Sequence, residues 1–151
     1  MDKKLRVAIN GFGRIGRLLF RQASDKFDIV AVNDLSDVGN LAYLLQYDTI
    51  YRTYHKKVSV SVEGGKNYLS MEGAKTLVLQ EKDPALLPWK DLAIDLVVEA
   101  TGVFESFEKA AVHLQAGAKK VVLTAPAKDE ERDDAKTVLL GLNEDQFKNC
   151  R

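Results

Sequence analysis

The sequence has few of the residues that build disulfide frameworks and metal sites. It contains one cysteine, Cys150, and two histidines, His55 and His113. A single cysteine cannot form an intramolecular disulfide, and one thiol with two distant imidazoles does not make a metal-ligand cluster. We therefore expect a reduced protein without a metal site, for which the cytoplasm is the simplest location.

The sequence also lacks a charge excess and a long apolar run. Its 22 basic residues balance its 22 acidic residues, so it has no basic field to attract nucleic acid or an anionic membrane. Arg6 and Asn10 interrupt the apolar segment near the N-terminus, which leaves neither a signal-peptide core nor a span of about 20 apolar residues. Hydrophobic residues still make up 46% of the 151 residues. We expect one soluble globular domain that binds neither nucleic acid nor membrane.

Short β-rich runs alternate with helical stripes along the chain. The predicted strands are 5–9, 27–32, 58–62, 68–69, 74–79, 95–100, 120–123 and 137–140. Helices are predicted from Arg14 to about Ala23, from a cap at Ser36 or Asp37, and from Ser106 to Gly117, with 51–54 and 128–134 as loops. This alternation predicts an α/β fold: a doubly wound, mainly parallel sheet of Rossmann type, with the antiparallel hairpin of 58–79 inserted.

A glycine-rich turn follows the first predicted strand. Gly11, Gly13 and Gly16 match G-x-G-x-x-G, and the turn opens a helix within a 30-residue β-α-β unit. In this motif the first glycine allows the tight turn, the second lets a pyrophosphate approach the backbone, and the third lets helix and strand pack closely. The alternative, a turn that binds nothing, is disfavoured because all parts of the motif occur together.

Asp34 ends the second predicted strand, 23 positions after Gly11. A carboxylate there can accept hydrogen bonds from the ribose hydroxyls of an adenosine, and it repels the additional phosphate of NADP. Leu35 supplies no positive charge to offset that repulsion. Asp34 therefore favours NAD over NADP; the alternative is an aspartate that caps a helix or a turn.

Small polar residues follow two further predicted strands. Ligands of open α/β sheets bind in the crevice beyond the carboxyl ends of the strands. This rule nominates Thr101 and Gly102 after one strand and Thr124 after another. Taken alone, each is equally well an ordinary turn residue.

The remaining reactive side chains carry no catalytic pattern. His113 lies within a helical stripe and His55 in a polar loop, so both are predicted to be surface histidines. Cys150 has no glycine turn, helix start or adjacent cationic group to activate a thiol, and we predict that it is not catalytic. Four tyrosines are predicted to pack or to contact another subunit, because no basic excess accompanies them: Tyr43, Tyr47, Tyr51 and Tyr54.

The segment around the glycine-rich turn is more specific than the general motif. Ala8-Ile9-Asn10-Gly11-Phe12-Gly13-Arg14-Ile15-Gly16-Arg17 resembles the start of the glyceraldehyde-3-phosphate dehydrogenases. Further segments agree with that family in order and spacing: Val32-Asn33-Asp34-Leu35, Leu44-Leu45-Gln46-Tyr47-Asp48, Lys82-Asp83-Pro84, Leu87-Pro88-Trp89, Glu99-Ala100-Thr101-Gly102-Val103-Phe104 and Thr124-Ala125-Pro126. The resemblance extends over the whole chain.

The resemblance implies that residues 1–151 are an NAD-binding domain. It implies phosphate contacts from Gly11, Phe12, Gly13, Arg14 and Ile15, an adenosine ribose at Asp34, the adenine end at Lys82, and further cofactor contacts from Asn10, Asn33, Thr101, Gly102, Phe104 and Thr124. Lys82 and Phe104 come from the family pattern alone.

The resemblance also implies an activity. Enzymes of this family oxidise glyceraldehyde 3-phosphate with NAD and phosphate to 1,3-bisphosphoglycerate, a step of glycolysis, through a cysteine thiohemiacetal and a thioester. Their nucleophile lies in a Ser-Asn-Ala-Ser-Cys-Thr-Thr-Asn-like segment that does not occur in this sequence, and Cys150 falls several residues short of that register. We therefore expect no catalytic residue and no catalytic domain here, NAD binding without turnover, and substrate, phosphate and homotetramer contacts only in a full-length enzyme.

Two alternatives remain at this point. An erythrose-4-phosphate dehydrogenase resembles the same family but often carries glutamate where this chain has Asp34. A stand-alone NAD-binding or interaction module is the other, and its output would be binding alone.

Overall fold

A computed structural model describes residues 3–151. The strands are β1 (Arg6–Asn10), β2 (Asp28–Asn33), β3 (Tyr47–Asp48), β4 (Arg52–Thr53), β5 (Ser59–Glu63), β6 (Lys66–Met71), β7 (Ala74–Leu79), β8 (Leu96–Glu99) and β9 (Lys120–Leu123). The helices are α1 (Arg14–Ala23), α2 (Val38–Gln46), α3 (Phe107–Ala110) and α4 (Val112–Gln115), with 3-10 turns at Pro84–Leu86 and Glu144–Asn149.

Seven strands form one twisted sheet in the order β5-β6-β7-β2-β1-β8-β9. Strands β7, β2, β1, β8 and β9 are parallel, whereas β5 and β6 add to β7 as an antiparallel hairpin extension. The predicted mainly parallel, doubly wound sheet with an inserted hairpin is confirmed. The chain runs from β1 to β2 and β7 on one side of β1 and then returns to β8 and β9 on the other side. Because the strand order reverses at β1, a crevice opens beyond the carboxyl ends of β1 and its neighbours β2 and β8.

Two apolar layers cover the two faces of the sheet. On one face, Phe20 of α1 and Leu41 and Leu45 of α2 pack against the sheet; on the other, Leu87 and Trp89 pack beneath it. Each of these five side chains is at most 2% exposed. Burial on both faces explains why the parallel strands read as continuous apolar runs instead of alternating patterns.

Helix α1 begins and ends where its apolar stripe predicts, and α2 resolves the choice between two caps. The Asp37 side chain accepts a hydrogen bond from the Asn40 amide at 2.9 Å, so Asp37 caps α2. The predicted helix after Ser106 is instead two short helices, α3 and α4, because Ala111 ends the first and caps the start of the second. It ends as predicted at Gly117, whose φ is +106°.

The predicted loop at 51–54 is wrong in part, because β3 and β4 pair as a small antiparallel ribbon. The Asp48 carboxylate accepts the amides of Ile50 and Tyr51, both at 2.8 Å, and closes the connecting turn. The turn of this ribbon is closed by one aspartate side chain, and no alternation of apolar and polar residues predicts it.

The predicted strand at 137–140 is also wrong. Side chains satisfy its backbone in place of a neighbouring strand: the Thr137 amide donates to Glu131, and the Leu139 amide donates to Asn143. Leu140 is 93% exposed, so no sheet face stabilises an extended conformation there. Among residues 3–151 no helix is long and apolar enough to cross a membrane.

Gly16 of α1 packs closely against the backbone of Gly11, just after β1, and its substitution tests this packing. A Cβ on Gly16 would lie 2.2 Å from the carbonyl oxygen of Gly11, whereas a Cβ on Gly13 would meet nothing within 4 Å. We expect Gly16→Ala to lower the free energy of unfolding by about 1–3 kcal/mol and Gly13→Ala to change it by less than about 0.5 kcal/mol. Urea unfolding of both variants measures the difference, and equal stabilities would contradict the packing.

Candidate functional site

The crevice at the carboxyl edge is narrow because two chain segments touch there. Gly11 follows β1 with a φ of +91°, and a Cβ on it would lie 2.6 Å from the Thr101 amide nitrogen. Only glycine combines that conformation with that approach. Gly11 therefore lets the glycine-rich loop lie against the segment that follows β8.

The loop leads into the open N-terminus of α1. Gly13 caps the helix without a side-chain hydrogen bond, and the first turn holds no acidic residue. The first intrahelical bond runs from the Arg17 amide to the Gly13 carbonyl at 3.0 Å. The helix end therefore keeps its amide donors and its partial positive charge, which are the features that bind a phosphate group.

Two side chains hold the loop at Phe12. The Asp34 carboxylate accepts the Phe12 amide at 2.8 Å, and the Arg17 guanidinium donates to the Phe12 carbonyl at 2.9 Å. The Phe12 ring is fully buried and meets Phe20 edge to face, with 5.5 Å between ring centroids. Phe12 thus shapes the loop from inside the core, while Gly13, Arg14 and Ile15 are exposed.

Asp34 lies directly after β2 and is half-buried. Its second carboxylate oxygen accepts the Ser36 amide at 2.9 Å. Partial burial opposes ionisation, but the hydrogen bonds from Ser36 and Phe12 and the charge of Arg17 outweigh it, so the pKa of Asp34 is lowered. A carboxylate offers about four acceptor positions, and the two amides leave acceptors for a further ligand.

Asn33 fastens the neighbouring segment to the same edge. Its side-chain amide donates to the Asn10 side chain at 2.8 Å and to the Glu81 carbonyl at 2.9 Å, and it accepts the Glu81 amide at 2.9 Å. Lys82, exposed in the next position, is thereby held beside the end of β2.

Asn10 and Glu99 form the buried floor of the crevice. The strand registers place Asn10 between Asn33 on β2 and Glu99 on β8, and the Asn10 side-chain amide donates to Glu99 at 2.6 Å. Thr101 donates to the other Glu99 oxygen through its amide, at 2.8 Å, and through its hydroxyl, at 2.5 Å. The carboxylate is therefore hydrogen-bonded on both oxygens although it is only 3% exposed.

The prediction that His113 lies on the surface is wrong. His113 is fully buried; its Nε2 lies 2.8 Å from Glu99, and the Trp89 indole donates to its Nδ1 at 3.0 Å. The helical spacing did not reveal the burial of His113, because spacing alone does not show whether a polar ring beside the apolar positions points into the core. The available signal was the charge of Glu99 inside an apolar strand. His55 is exposed, as predicted.

Burial raises the pKa of the Glu99 carboxyl, but hydrogen bonds from His113, Thr101 and Asn10 outweigh it and hold the pKa below its usual range. Thr124 lies beside it: both its amide and its hydroxyl donate to the Glu99 main-chain carbonyl at 3.1 Å. The structure therefore brings Thr101 and Thr124, from two separate strand ends, to the same residue.

Other nominated residues differ in placement. Thr101, Gly102 and Thr124 are exposed at the edge, and Phe104 is half-buried with its ring 6.2 Å from that of His113. Tyr54 is buried, whereas three of the four tyrosines are more than half exposed: Tyr43, Tyr47 and Tyr51. In the described part of the chain no group of three or more His, Cys, Asp or Glu residues is arranged to hold a metal ion.

Comparison with known proteins shows the family of this chain. Residues 5–107 match the family model of the glyceraldehyde 3-phosphate dehydrogenase NAD-binding domain. The chain belongs to this family. Its cofactor is NAD, as the resemblance and Asp34 predicted.

Curated relatives support the assignment. The glyceraldehyde-3-phosphate dehydrogenase of Thermotoga maritima is 52% identical over 147 residues, covering 95% of this chain and 42% of the relative. Glyceraldehyde-3-phosphate dehydrogenase 2 of Bacillus subtilis is 49% identical over 146 residues, covering 95% and 41%, and the Mycoplasma pneumoniae enzyme is 50% identical over 144 residues, covering 94% and 41%. The chain spans about two-fifths of the length of these relatives.

The lowered pKa of Glu99 predicts an acid-sensitive contribution to the stability of this NAD-binding domain. A carboxyl whose pKa is lower in the folded state stabilises the fold above its ordinary value of 4.5 and loses that contribution as the pH falls through the folded-state pKa. We expect Glu99→Gln to be less stable than the unmodified chain at pH 7, and the difference to shrink steadily below pH 4.5.

Urea unfolding between pH 3 and pH 7 measures this difference, over a range of about four units around the ordinary carboxyl value. Glu108→Gln, which removes an exposed carboxylate, is the matched control and should change the stability much less at pH 7. A Glu99→Gln difference that grows as the pH falls would show the opposite sign of linkage.

Proposed function

We propose that the chain holds NAD across the carboxyl ends of β2, β1 and β8 and serves as the cofactor domain of a phosphorylating glyceraldehyde-3-phosphate dehydrogenase. The observation that carries this proposal is the open N-terminus of α1 beside an ionised Asp34. Together they match the two charged features of the cofactor: a pyrophosphate that needs amide donors and a ribose that needs acceptors.

The pyrophosphate belongs at the glycine-rich loop. Gly13 leaves open space where a side chain would stand, and Arg14 and Ile15 follow it in the exposed first turn of α1. Gly11 and Phe12 shape the loop beneath them. The positive end of the helix and its donors favour a doubly charged group in that space.

The adenosine belongs on the β2 side. Asp34 retains acceptors for the ribose hydroxyls, and the edge carrying Lys82 lies beyond Asn33, at the adenine end. Leu35 is 60% exposed and carries no charge, so nothing at this position neutralises a 2′-phosphate beside the Asp34 carboxylate. NAD is therefore favoured over NADP.

The nicotinamide half belongs on the β8 side, near Asn10, Thr101, Gly102, Phe104 and Thr124. Both threonine hydroxyls donate their protons inward, to the side chain and the main chain of Glu99. What they retain for a ligand is acceptor capacity, which suits hydroxyl and amide donors. When bound there, the nicotinamide ring supplies hydride acceptance.

The parent enzyme is proposed to oxidise glyceraldehyde 3-phosphate with NAD and phosphate to 1,3-bisphosphoglycerate, in the cytoplasm and as a homo-oligomer. The names of the relatives support the reaction, and Asp34 argues against the erythrose-4-phosphate alternative. Exposed aromatic rings near the end of α2 support a subunit contact, because Tyr43, Tyr47 and Tyr51 leave apolar surface uncovered.

The 151 residues are proposed to bind NAD without turning it over. The Cys150 thiol donates to the Gln146 carbonyl at 3.3 Å. His113 is enclosed by Glu99 and Trp89, and within residues 3–151 neither histidine is hydrogen-bonded to the thiol. The side chains therefore form no thiol–imidazole pair of the kind that nucleophilic catalysis uses.

Calorimetric titration with NAD and NADP tests the binding proposal. We expect NAD to bind more tightly than NADP, and Asp34→Asn to weaken NAD by about tenfold or more, since hydrogen bonds to a charged group contribute about 1.5–3 kcal/mol. Asp37→Asn is the matched control: it removes the same charge three residues away, at the cap of α2, and should leave both affinities within about twofold. Equal loss in both variants would place the ribose elsewhere.

A turnover assay tests the second part. Incubated with glyceraldehyde 3-phosphate, phosphate and NAD, the 151-residue chain is expected to form no NADH above the background rate, because the Cys150 thiol is hydrogen-bonded to the Gln146 carbonyl and not to an imidazole that could act as its base. Absorbance at the NADH band measures this, with Cys150→Ser as the control. Turnover that Cys150→Ser abolishes would show that Cys150 is a nucleophile after all.

A further inference from the structure

A continuous chain of buried hydrogen bonds leads from the far side of the sheet to the crevice. It begins at Trp89, passes through His113 to Glu99, and ends at Thr101 and Asn10. Trp89, His113, Asn10 and Glu99 are each at most 3% exposed. Thr101 is the member that reaches the exposed edge.

The chain has a defined direction. An indole nitrogen only donates, so the 3.0 Å contact makes Nδ1 of His113 the acceptor. The ring proton then sits on Nε2, which donates to Glu99 at 2.8 Å. Trp89 thereby selects the histidine tautomer that donates to the carboxylate, in the way that a second hydrogen bond sets the tautomer of other buried histidines.

Glu99 connects His113 to the residues that line the crevice. One carboxylate oxygen receives His113 and Asn10, and the other receives the amide and hydroxyl of Thr101. These contacts link Asn10, at the end of β1, to Thr101, in the segment after β8. Gly11 approaches Thr101 at the same place. A shift of the Glu99 carboxylate therefore moves Asn10 and Thr101, which lie on two sides of the crevice.

We propose that His113 is a positioning residue for cofactor binding: through Glu99 it holds Thr101 and Asn10 where the nicotinamide half of NAD is received. This rests on the proposed location of NAD at this edge. His113 touches no cofactor itself. Without its donor, the buried carboxylate loses one of four hydrogen bonds and moves toward other donors or toward water, because a poorly satisfied buried charge is costly.

NAD titration of four variants tests this role. His113→Leu removes the donor and is expected to weaken NAD by about tenfold, while His113→Gln, whose amide nitrogen reaches about as far as Nε2, is expected to stay within about threefold. Glu99→Gln disturbs the same link and should weaken NAD by a similar factor. Thr76→Val is the matched control. Thr76 on β7 is as buried as Glu99, and the variant loses a 2.8 Å hydrogen bond to the Ile29 carbonyl on β2, away from the crevice.

The variants also report on their own folding. Trp89 is the only tryptophan, so its near-ultraviolet circular dichroism shows whether the core around His113 remains ordered at the titration temperature. If His113→Leu fails to fold, Glu99→Gln and His113→Gln decide. In the double variant, His113→Leu should add less than about threefold to Glu99→Gln, because the two residues act through one link.

Three results would overturn the proposal. The first is wild-type affinity in folded His113→Leu or Glu99→Gln. The second is an equal loss of affinity in Thr76→Val, which would trace the effect to stability alone. The third is an equal loss in His113→Gln and His113→Leu. Failure of the unmodified chain to bind NAD would instead overturn the proposed function, and the positioning role with it.

Discussion

The hydrogen-bonded carboxylate of Glu99 holds the carboxyl edge of the sheet together. A charge buried at the end of a parallel strand is tolerated only when donors surround it. Asn10, His113 and Thr101 supply those donors from three different elements. The need to satisfy one anion therefore fixes the relative positions of β1, β8 and α4 more tightly than apolar packing alone would.

The fold and the site share a second constraint, which is the close approach of backbones. Gly11 lets the loop lie on Thr101, and Gly16 lets α1 lie on Gly11. Gly13, between them, faces open space. Gly11 and Gly16 thus allow close packing, and Gly13 leaves open space at the N-terminus of α1.

Local patterns predicted much of this correctly because they act over a few residues. The strand–glycine–helix unit, the bounds of α1 and the alternation of strands and helices follow from turn chemistry and periodicity. The misassigned strand at 137–140 has β-branched and apolar residues but no neighbouring strand, so side-chain acceptors bind its amides. The β3–β4 ribbon depends on the Asp48 carboxylate, and His113 was misplaced because helical spacing does not tell which partner a buried ring will meet.

The family, the doubly wound fold, the glycine-rich loop and the acidic residue at the end of β2 were all predictable from the sequence, because each depends on residues close together in the chain. The residues of the buried floor were not predictable in this way. Asn33, Asn10 and Glu99 become neighbours through strand register, and His113 and Trp89 reach them from the other layer. Contacts between residues 89 positions apart, such as Asn10 with Glu99, arise from the packing of the sheet and its crossovers, which no local pattern specifies.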